Sequence, residues 1–273
     1  MQKKIAVIND LSGYGRCSLT VAIPVLSVMG HQCCPVPTAI LSNHTEFPVY
    51  FFDDYTEKMT AYTDKWKELG LSFDAVATGF LGSEAQIVMD MIRKLESEET
   101  FVVVDPVMGD HGHAYETYTP EMCEQMKELV CMADIVLPNV TECCILTDTP
   151  YKKENWTRRE LLNMAMMLRL MGAKSVVITG VREGSYYTNV VLERGQMEAK
   201  FIRTRSSGGE RPGTGDVFSS VVAGALLNGK SLPEAVAQAA GFVKECIKVS
   251  DEEQIPHANG VCFEKILGKL IKK

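Results

Sequence analysis

Six short apolar runs recur along the chain, at residues 4–8, 36–41, 75–78, 101–104, 134–137 and 175–179. Each has the length of a strand and is bounded by polar or turn-forming residues. FVVV at 101–104 and SVVIT at 175–179 are apolar at consecutive positions, so both faces of the strands they form must be covered. Between the runs lie segments with helical spacing of apolar residues. Ser83 with Gln86, Thr157 with Glu160, and Ser231 with Glu234 have the spacing of a capping box that opens a helix. Gly30, Gly70 and Gly172 follow helical runs, where a left-handed residue closes the last turn. This alternation predicts an α/β fold: a central, mostly parallel sheet flanked by helices on both faces.

After residue 178 the pattern changes. Residues 185–192 and 197–203 alternate on either side of Arg194-Gly195 and predict a late β-hairpin. Residues 213–228 and 232–249 then read as two helices. Repeats, low-complexity tracts and linkers are missing from the sequence, so a single domain over residues 1–273 is the expectation.

Composition narrows the function classes. The 46% hydrophobic and 23% charged residues are those of an ordinary globule. A net charge of −7, with the acids dispersed, argues against nucleic-acid and membrane-surface binding. No apolar stretch has the length of a membrane span, and the run after MQKK is too short for a signal peptide. Nine cysteines with no CxxC pair read as reduced thiols in a cytoplasmic protein.

Two motifs mislead. Gly224 to Ser231 satisfies the phosphate-loop pattern GxxxxGK[ST], with Lys230 as its lysine. However, Val217, Val221 and Ala225 recur at helical spacing through it. Gly229 reads as a helix end, and Ser231, Pro233 and Glu234 as the next helix start. Gly13-Tyr14-Gly15 after the first strand approaches a dinucleotide fingerprint, but the second strand ends Leu41-Ser42-Asn43, without the acid that holds a ribose. A glycine-rich turn close to a small ligand is the remaining expectation there.

The strongest signal is Arg211-Pro212-Gly213-Thr214-Gly215-Asp216 at the start of a helix. Two glycines around a threonine let backbone N–H groups converge on an anion, with the helix dipole behind them. A carboxylate in the first turn beside that anion hole fits phosphoryl transfer: the amides stabilise the moving phosphoryl group and Asp216 accepts the proton of the attacking hydroxyl. The bland alternative is that Asp216 only caps its helix. Asp105 ends a strand, Asp110 follows it, and Asn139 and Glu142 follow the next strand. Ligands in open parallel sheets bind beyond the carboxyl ends of the strands, and oxygen ligands gathered there suit Mg²⁺. His111 and His113 read as solvent-facing loop residues. Ser42 to Thr45 is either a set of substrate contacts or a plain turn.

Together these motifs resemble a known family. GTGDVFSS resembles the signature of ribokinase-like kinases, and SNHT, DPVMGD, PNVTE and VVITG, in that order, resemble the pyridoxal/pyridoxamine (vitamin B6) kinase branch. The resemblance covers nearly the whole chain. It implies a ribokinase-like fold, a homodimer, and transfer of the γ-phosphoryl of ATP to the 5′-hydroxymethyl group of pyridoxal, pyridoxine or pyridoxamine. It implies ATP and Mg²⁺ as cofactors and is compatible with a monovalent cation. By motif position it makes Asp216 the catalytic base and Gly213, Thr214 and Gly215 the anion hole. Asp105, Asn139 and Glu142 are placed around phosphate and metal, with Asp110 nearby, and Asp105, Asp110 and Glu142 as metal ligands. Thr179 and Gly180 line the nucleotide site; Ser12, Thr45 and Phe80 face the vitamin. Two departures stand out: the loop NDLSGYGRC is short, so Asp10 competes with Ser12 for the ring, and Glu46 stands where Gly or Gln is expected. Hydroxymethylpyrimidine kinases typically carry Cys where Asp216 stands. The rival readings are a sugar or pyrimidine kinase on the same scaffold, a silent B6- or nucleotide-binding protein, and a phosphate-loop NTPase using Lys230.

Overall fold

The computed structural model describes residues 1–115 and 118–271. The chain opens with strand β1 (Lys4–Tyr14), helix α1 (Ser18–Val28), β2 (Gln32–Asn43), β3 (Phe52–Asp54) and α2 (Thr56–Glu68). It continues through β4 (Ala75–Thr78), α3 (Ala85–Leu95), β5 (Phe101–Val104), a small hairpin of β6 (Gly109–Asp110) and β7 (His113–Ala114), α4 (Pro120–Cys131) and β8 (Ile135–Val136). Then come α5 (Val140–Leu146), α6 (Arg158–Met171), β9 (Ser175–Glu183), β10 (Tyr186–Leu192), β11 (Lys200–Arg205), α7 (Thr214–Leu227) and α8 (Leu232–Glu252).

Among the described residues, nine strands form one sheet in the order β11-β10-β9-β8-β5-β4-β1-β2-β3. The six inner strands from β9 to β2 pair in parallel. The hairpin β10–β11 and the short strand β3 add antiparallel edges. The register explains the two-sided apolar runs. Ile5 and Val7 of β1, Ala75 of β4, Val103 of β5 and Val177 of β9 pack under α1, α7 and α8. Their neighbours Ala6, Ile8, Val76, Val104 and Ile178 pack under α2 to α6. Ile5 and Ile8 are 0% exposed, and each such burial contributes roughly 1.5–3 kcal/mol.

Local signals acted largely as read. Thr157 and Glu160 form a reciprocal cap on α6, and Glu234 accepts from the backbone N–H of Ser231 at the start of α8. The phosphate-loop look-alike is the end of α7, a left-handed Gly229, and the start of α8. Ser83 is a correction: α3 begins at Ala85, with Glu84 at the N-cap and no side-chain cap. Ser83 instead hydrogen-bonds Asp54, and its N–H donates to Thr56 Oγ1, so it is drawn towards the start of α2. The glycine-rich segment is also more regular than expected. β1 passes through an irregularity between Asn9 and Leu11 and stays paired with β2 as far as Tyr14 opposite Asn43. Only Gly15 leaves the strand, at φ +93°, where a Cβ would lie 2.4 Å from the His44 ring.

Candidate active site at the carboxyl edge of the sheet

The parallel strands end at one edge of the sheet, and their following loops enclose a cleft of about 1120 Å³. Asp216, Gly213, Thr214, Gly215, Ser12, Thr45, Phe80, Asp105, Asp110, Asn139, Glu142, Thr179 and Gly180 all line it. Residues from seven separate segments of the chain thus share a space large enough for two small ligands.

One wall is the start of α7. Gly213 occupies the N-cap in a left-handed conformation, φ +77°. A Cβ there would sit 1.8 Å from the Arg16 carbonyl oxygen, so only glycine fits. A Cβ on Gly215 would meet nothing within 4 Å; that glycine faces open space. Thr214 Oγ1 donates to the Arg211 carbonyl at 3.0 Å. Arg211 in turn is bonded to Asp251 at 2.8 Å and to the Ile255 carbonyl at 2.9 Å, which ties the loop to the end of α8. The free N–H groups of the first helical turn therefore open onto the cleft on a braced loop.

Asp216 stands in that first turn. Burial raises its carboxyl to about 6, against an ordinary 3.8, and the Asp10 charge adds to the rise. Hydrogen bonds from the Ser18 N–H and the Asn9 amide oppose it by favouring the ionised form. A carboxylate poised near 6 is both charged and basic at neutral pH, as a general base must be.

Asp105, hydrogen-bonded by Ser219 one turn along α7 from Asp216, and Glu142 are both raised by burial and then by neighbouring negative charge, Asp216 for Asp105 and Asp105 for Glu142. Glu142 is 4% exposed. Its Oε2 accepts from the Asn139 N–H at 2.7 Å and its Oε1 from the Met108 N–H at 3.2 Å. Asn139 caps α5: its Oδ1 accepts from the Glu142 N–H and its Nδ2 donates to the Gly109 carbonyl, each at 2.9 Å. Asn139 therefore fixes Glu142 and the β6–β7 hairpin, and its side-chain amide is already engaged. Asp110 sits on that hairpin, half exposed, and accepts from the His111 N–H. Among the described residues no three carboxylate, histidine or cysteine side chains converge as a metal-holding group. The donor set is a pair of mutually repelling carboxylates, Glu142 buried and Asp105 partly buried, with Asp110 at the rim.

The opposite end of the cleft is built from β1 and the loop after β2. Ser12 and Asp10 act as a pair rather than alternatives: Ser12 Oγ donates to Asp10 Oδ2 at 2.8 Å, and both are buried. His44 bonds the Ala258 carbonyl at 2.7 Å and packs against Phe47. Glu46 accepts from His257 at 2.7 Å, and the other ring nitrogen of His257 lies 2.9 Å from the Glu210 carbonyl. The departure at 46 thus links this loop to the loop before the anion hole. At the far end, Gly180 (φ +66°) follows Thr179 in β9, and its N–H donates to Asn189 Oδ1.

Sequence reasoning missed several contributors. Lys153, Arg182, Arg205 and Lys244 line the cleft beside Arg211 of the anion-hole motif and supply local positive charge to a chain of net charge −7. They are scattered over the last 121 residues without a motif. Asn9 was also missed, although a polar residue at the carboxyl end of an apolar strand is a signal in itself. Its Nδ2 donates to Asp216 Oδ1 at 3.2 Å, across 207 residues of sequence.

Comparison with known proteins agrees with this geometry. The phosphomethylpyrimidine kinase family model matches residues 23–262. A Bacteroides thetaiotaomicron structure, named for a phosphomethylpyrimidine kinase and solved with pyridoxal, superposes with a TM-score of 0.93 at 39% identity, covering 99% of this chain and 96% of that one. The pyridoxine/pyridoxal/pyridoxamine kinase of Bordetella avium is 26% identical over 260 residues, covering 89% of this chain and 84% of that protein. The hydroxymethylpyrimidine/phosphomethylpyrimidine kinase of Aquifex aeolicus is 31% identical over 177 residues, covering 64% of this chain and 67% of its own. The cleft, the anion-hole glycines and the match over 240 of 273 positions lead to one conclusion: this chain belongs to the phosphomethylpyrimidine kinase family, with the ribokinase-like fold.

Proposed function

We propose that this protein is a single-domain, ATP-dependent vitamin B6 kinase that phosphorylates the 5′-hydroxymethyl group of pyridoxal, pyridoxine or pyridoxamine. The observation that carries the reading is Asp216, raised to about 6, next to the first-turn amides of α7 and sharing one cleft with the carboxylates of Asp105 and Glu142. The substrate hydroxyl gives its proton to Asp216 as its oxygen attacks the γ-phosphorus, and ADP leaves with the bridging electron pair. The N–H groups of Gly213, Thr214 and Gly215 bind the transferring phosphoryl oxygens. Asp10, Ser12, Thr45 and Phe80 orient the ring; Thr179, Gly180 and the basic wall hold the nucleotide.

The carboxylate pair fits Mg²⁺. Two acids that repel each other, Glu142 buried and Asp105 partly so, would be relieved by a divalent cation, and Mg²⁺ does not need a full protein cage. Asp105 and Glu142, with Asp110 at the rim, would hold it, and it would neutralise charge on the triphosphate.

A hydroxymethylpyrimidine kinase is the second reading, favoured by the Aquifex relative. Asp216, where such kinases typically carry Cys, favours the B6 reading. A coupled assay of ADP release with the three B6 vitamers and hydroxymethylpyrimidine decides. Turnover with pyridoxal at least tenfold above hydroxymethylpyrimidine is expected; the reverse order overturns the B6 assignment.

Two further parts of the reading concern assembly and compartment. Tyr14, Ile40, Val49, Tyr50, Phe51 and Phe52 expose apolar surface around the β2–β3 edge, a face suited to a second copy of this chain. A homodimer mass in light scattering is expected. All nine cysteines are free, and no described helix is long and apolar enough to cross a membrane, which fits the cytoplasm.

A further inference from the structure

Asn9 is 5% exposed at the irregularity in β1, and its carboxamide has only one arrangement that satisfies its surroundings. Its Oδ1 accepts two backbone N–H groups, from Phe80 at 2.8 Å and from Asp10 at 2.9 Å. Those donors fix the oxygen on their side, so the NH₂ group must point the other way, where it donates to Asp216 Oδ1 at 3.2 Å. The space is reserved for it: a Cβ on Gly79 would lie 2.3 Å from Asn9 Nδ2. The two acceptor bonds brace the exits of β1 and β4; the donor bond reaches the carboxylate at the head of α7.

We infer that Asn9 is a positioning residue for Asp216, holding one carboxylate oxygen so that the group faces the substrate hydroxyl in a single orientation. The inference rests on the reading of Asp216 as the base. An amide suits this task better than a lysine or arginine would. A neutral donor fixes the direction of the carboxylate without a full opposing charge, which would stabilise the anion more strongly and make it a poorer proton acceptor.

The bonding pattern allows the two roles of Asn9 to be separated. Asn9→Asp keeps an oxygen to accept the Phe80 and Asp10 N–H groups, and replaces only the donor aimed at Asp216 with a second carboxylate oxygen. The expected result is a kcat lower by about 10- to 100-fold, at or below the lower end of the roughly 10²–10⁴-fold that the base itself supplies, with KM for pyridoxal and ATP within about twofold. The melting temperature falls, because two carboxylates now face each other. In the exchange variant Asn9→Asp/Asp216→Asn a donor again faces an acceptor; the melting temperature recovers while turnover stays lost. Should Asn9→Asp not fold, Asn9→Ser removes the amide without adding charge and carries the same kcat expectation. In the Asp216→Asn background Asn9→Ser costs no further turnover, since the group it positions is gone. Wild-type kcat in Asn9→Asp or Asn9→Ser, or a raised KM with kcat unchanged, overturns the inference while leaving Asp216 as the base. Full turnover in Asp216→Asn alone overturns the reading of the base itself.

Discussion

Asp216→Asn should make the protein a worse enzyme and a more stable one, with the stability gain tied to pH. The folded carboxyl sits at about 6 against an ordinary 3.8, chiefly through burial. The sign follows from proton binding. Between these values the folded state binds more protons than the unfolded chain, so stability falls as pH rises through the window. Above it the charged, partly buried group costs up to about 3 kcal/mol, at 1.36 kcal/mol per pH unit. Asparagine has nearly the same shape and carries no charge to desolvate; its Oδ1 can still accept from Asn9, but its NH₂ then faces the Ser18 N–H, which offsets part of the gain. At pH 8 the variant should therefore gain up to about 3 kcal/mol, a rise in Tm of about 6–12 °C for a chain of this size. At pH 5 the gain should fall to roughly half, because much of the wild-type group is then protonated in the folded state. Turnover should drop by about 10²–10⁴-fold, with nucleotide binding retained. Thermal melts at pH 5 and pH 8, paired with the coupled assay, measure both effects. A variant that keeps wild-type turnover, or whose change in Tm is the same at both pH values, would refute the reasoning.

Three other outcomes are expected. In the wild type, kcat/KM should rise with pH through about 6 and level off above it, because Asp216 must be ionised to take a proton; a flat profile from pH 5 to 8 contradicts this. The two glycines of the anion hole should separate: Gly213→Ala forces a methyl group 1.8 Å from the Arg16 carbonyl at a left-handed φ and should lower Tm sharply, whereas Gly215→Ala points into open space and should reduce kcat with Tm nearly unchanged. Lys230→Ala should leave ATP turnover within about twofold of wild type, since surface changes of this kind are small and Lys230 is exposed between two helices; loss of ATP binding would revive the phosphate-loop reading.

The sequence by itself determined the layers of this protein and the head of its active site. Strands such as 101–104 and 175–179 declare through two-sided apolarity that they lie inside a covered sheet. The glycines, threonine and aspartate at 213–216 declare an anion site because the chemistry lies within four consecutive residues, where backbone geometry alone arranges it. Asp105 and Glu142 were legible for a related reason: both follow strands whose shared direction sends their ends to one edge. What only the tertiary structure decided are the contacts between segments distant in sequence. Asn9 meets Asp216 across 207 positions, Glu46 meets His257 across 211, and the basic residues of the cleft converge from separate strands, a helix and loops. The burial that lifts Asp216 is of the same kind, since it comes from packing α7 against the ends of β1 and β4. Local patterns record which way a strand faces and how a turn bends. They do not record what stands on the far side of the sheet edge, because loop closure leaves that free until the whole core has formed.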